Sequence, residues 1–87
     1  MFNKIKTIKN LRQQAKKMQN ALSEIIEIGE ASGVTIALDG NQEVQRVEIS
    51  DDVLKNKERL ERAIKDAMNN GLKKIQKQMA KKMQEMG

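Results

Sequence analysis

The apolar residues of this 87-residue chain change period twice, and that double change restricts the possible folds more than any other feature. Ile8, Leu11, Ala15, Met18, Leu22 and Ile25 are separated by alternate steps of three and four. This is the a/d seam of a helix that packs along another helix. Then Val34, Ile36 and Leu38 alternate with Thr35, Ala37 and Asp39, and Val47 and Ile49 alternate with Arg46 and Glu48. A period of two belongs to strands with one buried face. From Leu60 onward the helical period returns through Ile64, Ala67, Met68, Leu72, Ile75, Met79, Met83 and Met86.

The breaks between these runs place the turns. The first helix is expected over residues 5–25 and a weaker first strand over 25–30. Ala31-Ser32-Gly33 forms the first turn, and Asp39-Gly40-Asn41-Gln42 a hairpin in which Gly40 and Asn41 tolerate positive φ. Val44 stands out of step with Val47, which marks a bulge or a residue on the opposite face. Ser50 to Leu54 reads as a short turn, Asn56 as an N-cap, and residues 57–86 as one helix of roughly 45 Å. Gly71, costly inside a helix, is expected at a close contact or a slight bend. The predicted fold is α+β, with a helix, a three-stranded antiparallel sheet and a long C-terminal helix (αβββα), in one domain spanning 1–87. A chain this short has little core of its own and no Cys for disulfides, so a homodimer is expected. We expect the dimer to use the sheet and the seam of the first helix, with Leu11, Met18, Leu22, Val34, Ile36, Leu38, Val47 and Ile49 structural.

Charge is distributed unevenly. Residues 1–23 hold six basic side chains (Lys4, Lys6, Lys9, Arg12, Lys16, Lys17) and no acid. Residues 71–87 hold five (Lys73, Lys74, Lys77, Lys81, Lys82) against the single Glu85, whereas the middle is acidic. Lys9, Arg12 and Lys16 stand at i, i+3 and i+7, and Lys74, Lys77 and Lys81 repeat that spacing. One such trio is commonly a solvated helix face; two on the only long helices, with acids nearly excluded, point to a polyanion. Lysine suits phosphate and is poor at bidentate base reading, so the expected partner is duplex DNA gripped by its backbone. Single-strand binders stack bases on aromatic rings, and Phe2 is the only aromatic residue.

Other functions find little material. Without His or Cys, and with Ser23, Ser32 and Ser50 lacking a neighbouring base, no catalytic group can be assembled from the sequence. Asp51-Asp52 reads as a helix-capping turn. Asp39 to Glu43 lacks the ligand spacing of a calcium loop. No enzyme activity, cofactor, metal or small-molecule substrate is expected. The apolar stripes are narrow and lack Trp or Phe anchors, which disfavours a membrane surface. No apolar run approaches a membrane span, and the N-terminus does not resemble a signal peptide, so we expect a cytoplasmic protein. The alternative to DNA binding is a protein-interaction module that docks partners on its heptad-like helices.

Asn10-Leu11-Arg12-Gln13-Gln14-Ala15-Lys16-Lys17-Met18-Gln19 resembles the start of the YbaB/EbfC family of bacterial nucleoid-associated proteins. Gly33 to Ile49 resembles the family hairpin, and Asp66-Ala67-Met68-Asn69-Asn70 a segment of its long helix. The turn at Ser32-Gly33 is shorter than in the family pattern, and Asn70 stands where Asp is common. The resemblance implies a tweezer-like homodimer that binds DNA through projecting helices, with a place in the nucleoid and in gene regulation. On this reading the DNA-binding residues are Lys9, Arg12, Lys16, Lys73, Lys74, Lys77, Lys81 and Lys82.

Overall fold

The computed structural model describes residues 2–86, and the side-chain surroundings of residues 9–85. The side chains of Phe2, Lys4, Lys6, Ile8 and Met86, used in the sequence reading, lie outside the described residues. The elements follow the order α1 (Phe2–Ser23), β1 (Ile26–Ala31), β2 (Val34–Asp39), β3 (Val44–Ile49), α2 (Asp51–Leu54) and α3 (Lys57–Met86). The strands form one antiparallel sheet in the order β1-β2-β3. The αβββα architecture read from the apolar periods is the observed one, with differences at the joints.

The β1–β2 turn has two residues, Ser32 (φ 45°) and Gly33 (φ 89°). Positive φ at both central positions matches the twist of the flanking strands. In the β2–β3 turn it is Gln42 (φ 64°), not Gly40 or Asn41, that takes the left-handed conformation. Gly40 is needed for a different reason: a Cβ there would lie 2.6 Å from the Leu22 carbonyl oxygen. The register shift falls opposite Ala37 and Leu38, which pair with Arg46 and Val44 and leave Gln45 as the extra residue of a bulge. Asp39, read as the first residue of the hairpin turn, is buried. Its Oδ1 accepts the Asn41 and Glu43 amides at 2.8 and 3.1 Å, and its Oδ2 accepts Gln45 Nε2 at 2.7 Å. One carboxylate thus ties the turn to the bulge.

Helix α3 crosses one face of the sheet over β1 and β2. Val34, Ile36 and Leu38 point into it and meet Ala63, Ala67 and the α2 residue Val53. The small residues of α3 permit a very close approach. A Cβ on Gly29 would lie 2.1 Å from the Ala67 carbonyl oxygen and 2.4 Å from Gly71 N. Gly71 is therefore a contact glycine, as its helical position suggested, and Gly29 is its partner in the sheet. Asn56 caps α3 by accepting the Arg59 amide on its Oδ1 at 3.0 Å. Residues 51–54, expected as a turn, wind into one helical turn because Val53 must reach the core. Helix α1 ends at Ser23, so Ile25 lies in the connection, where its amide donates to the Leu22 carbonyl.

Candidate nucleic-acid interface

Among the described residues, helix α1 is fixed to the sheet near its C-terminal end. The Gly40 amide donates to the Leu22 carbonyl at 2.8 Å, and Asn41 Nδ2 donates to the Gln19 carbonyl at 3.0 Å. The rest of the helix reaches away from the sheet, and the molecule extends over 63 Å in its longest direction. Lys9, Arg12 and Lys16 are exposed on it. Lys17, off that stripe by about one helical step, is exposed as well and adds a cation that the i, i+3, i+7 spacing passes over. The seam residues Leu11 (59% exposed) and Met18 are uncovered in the single chain.

Helix α3 runs antiparallel to β1: Asn70 lies beside Glu30 and Lys74 beside Ile28. Continued in that direction, the helix leaves the sheet at the end where β1 begins, which is also where α1 joins. At 1.5 Å per residue, the twelve residues after Lys74 extend roughly 18 Å, of which β1 accounts for about a third. Lys77, Lys81 and Lys82 lie on this outgoing part and are exposed, as is Lys73 just before it. Charge and structure change together along α3. Residues 57–70 mix four basic residues with three acids over the sheet, and residues 71–86 carry only Glu85 against five lysines.

Lys74 is set apart from the other predicted contacts. Its Nζ donates to the Ile28 carbonyl at 2.9 Å, while Asn70 Oδ1 accepts the Glu30 amide at 3.2 Å. Both side chains occupy backbone groups on the open edge of β1. Among the described residues, no group of His, Cys, Asp and Glu is placed to hold a metal ion, and no helix is long and apolar enough to cross a membrane.

The model of the YbaB/EbfC DNA-binding family matches residues 1–87. The chain belongs to this family. No curated protein matches it in sequence. Among solved structures it is similar to the uncharacterized protein HP0035 from Helicobacter pylori, with a TM-score of 0.74 and 17% identity. That similarity covers 92% of this chain and 88% of the other, and it supports the α+β fold. YbaB/EbfC membership makes this a member of a DNA-binding family and agrees with the segregation of positive charge onto the two outgoing helices.

Proposed function

We propose that the protein is a non-enzymatic, nucleoid-associated protein that binds duplex DNA through the phosphate backbone and acts as a homodimer in nucleoid organisation and gene regulation. The observation that carries this reading is the charge on the outgoing helices: α1 contains no acid, and α3 beyond Gly71 contains one. Lys9, Arg12, Lys16, Lys73, Lys77, Lys81 and Lys82 are the proposed phosphate contacts. Lys74, bonded at the strand edge, is a lesser contributor. Binding of this kind draws on counterion release, so it is weakly selective for sequence and steep in salt. Its setting is the cytoplasm, at the nucleoid.

A gel-shift titration with duplex DNA at two salt concentrations tests this. Log affinity should fall linearly with log salt, by about 0.9 per phosphate neutralised. Replacing Lys73, Lys77 and Lys81 by Glu leaves Leu72, Ile75 and Met79 in place, and should abolish duplex binding at physiological salt with the circular dichroism unchanged. Undiminished binding by this variant would exclude α3 as the contact surface. A second reading, a protein-interaction module, is favoured by the uncovered seam of α1, where Leu11 and Met18 could take a partner helix. It predicts no duplex binding even at low salt, and a protein partner whose affinity is nearly independent of salt.

A further inference from the structure

The apolar side of α3 changes residue type where the helix leaves the sheet. Over the sheet its inward positions are Leu60, Ala63, Ala67, Leu72 and Ile75, with Met68 beside them. Beyond Ile75 each position that continues the seam is a methionine: Met79, Met83 and, in the sequence, Met86, whose side chain lies outside the described residues. Burial falls away over the same stretch. Ile75 is fully buried, Met79 is half-buried and Met83 is 60% exposed. Packing does not account for this choice. Methionine turns about three bonds and specifies a contact poorly, and leucine would serve an apolar seam better. What the thioether alone supplies is a soft, neutral sulfur ligand.

Met79 and Met83 stand at i and i+4 of one helix, so their Cβ atoms lie about 5–6 Å apart on one face. Each carries its sulfur on a flexible stem, and both sulfurs can turn towards a single ion between them. The lysine ridge lies elsewhere on the helix. Lys77 and Lys81 follow the seam residues Ile75 and Met79 by two positions, which is about 200° round the axis. The seam is therefore turned away from those two ammonium groups. Lys82 is nearer, about 60° round from Met79, and its charge disfavours a divalent ion more than a monovalent one. Harder metal ions find little else to bind: the chain has neither His nor Cys, and among the described residues no group of His, Cys, Asp and Glu is placed to hold one.

We propose that Met79 and Met83 form a site for a soft monovalent metal ion, Cu(I) or its closed-shell analogue Ag(I), held by two thioether sulfurs on the outgoing part of α3. Thioether ligands select such ions over those that prefer imidazole, carboxylate or water oxygen. Binding forms two dative sulfur–metal bonds and releases solvent from the ion. A thioether has no proton to lose, and no electron is transferred, so the step is balanced as it stands. The site uses none of the proposed phosphate contacts and does not rest on the DNA reading.

Silver nitrate titrated into the full chain in chloride-free buffer tests the site, followed by NMR through the labelled terminal methyl groups of the methionines. The signals assigned by their loss in Met79→Leu and Met83→Leu should move together in the parent and saturate at one ion per chain. Each substitution keeps an apolar side chain of similar volume, so the circular dichroism should be unchanged. Each should weaken silver binding by roughly tenfold or more, because one sulfur alone loses the advantage of a linked second. Met18→Leu, which removes a methionine exposed on α1, should keep parent affinity. Zinc nitrate in place of silver should move neither signal. Met79 and Met83 signals that stay fixed as silver is added would overturn the site. Parent affinity in either α3 variant, or an equal response to zinc, would overturn it as well.

Discussion

Gly29→Ala tests the central packing contact of the fold. The added Cβ would lie 2.1 Å from Ala67 O, 2.4 Å from Gly71 N and 2.7 Å from Gly71 Cα. All three are backbone atoms of a continuous helix, so no side-chain rotation can relieve the overlap. To reach ordinary contact, α3 must lift by about 1 Å, and a gap of that size forfeits a quarter to a half of the dispersion attraction of the atoms it separates. Beneath α3 lie Val34, Ile36 and Leu38, the largest part of the buried core. Overpacking costs of about 1–3 kcal/mol apply where side chains can adjust. With backbone on both sides the top of that range is the floor, and we expect about 3–5 kcal/mol. The gain from replacing a strand glycine, about 0.5–1 kcal/mol, does not offset it. A domain of this length has a total stability of roughly 4–13 kcal/mol. Thermal unfolding followed by circular dichroism at fixed protein concentration should show a Tm lowered by about 12 °C or more. Gly71→Ala is the control. Its Cβ meets Leu38 Cδ1 at 2.7 Å, the end of a side chain, and the helix gains about 1 kcal/mol in propensity. Its net cost should stay below about 2 kcal/mol. An unchanged melting curve for Gly29→Ala, or a larger loss for Gly71→Ala, would refute the reasoning.

Two further outcomes follow from hydrogen bonds. Asp39→Ala removes the acceptor of two amides and of Gln45 Nε2, and should cost about 2–3 kcal/mol in urea unfolding, with Asp39→Asn recovering part of it. Lys74→Gln should change duplex affinity by less than about twofold and leave the salt slope intact, whereas Lys77→Ala should lower the slope by about one unit for each phosphate it no longer neutralises; equal effects in the two variants would place Lys74 on the DNA surface.

The elements were legible wherever a single periodicity ran long enough. The boundaries of α3 agree with the sequence reading because Asn56 supplies a local cap and no Pro or further Gly stops the helix between Gly71 and Gly87. An irregularity near Val44 was visible because one apolar residue fell out of step, and the structure decides for a bulge over a change of face. What stayed hidden depends on contacts between distant segments. Asp39 looks like any turn aspartate, and its burial and its bond from the bulged Gln45 appear only once β2 and β3 are paired. Gly29 lies in a strand with weak alternation, and its meaning appears only opposite Gly71, forty-two residues later. Val47 fits the pattern of a buried strand residue, yet α3 does not reach it, since a period records which face a residue is on and not whether that face is covered. For the candidate interface, the clustering of lysines was plain in the sequence. The bond from Lys74 to Ile28 was not, because it requires the position of α3 against the edge of β1.

The division of labour within α3 follows from how its two halves meet their surroundings. Ala63, Ala67 and Gly71 present almost no side chain, which lets the backbone lie directly on the sheet and holds the helix at a fixed height and angle. Beyond them Ile75 is still fully buried, Met79 partly so, and Met83 is 60% exposed, so burial fades along the helix as lysine accumulates. Because the helix is continuous from Lys57 to Met86, the outgoing lysines inherit the orientation set by the small residues. Charges presented this way lose less conformational freedom on meeting a row of phosphates than charges on a loose tail, which lowers the ordering cost of binding. On the proposed reading the glycine contact and the lysine stripe are parts of one device: the close packing at Gly29 and Gly71 aims the arm, and the side chains of the arm are the proposed source of attraction.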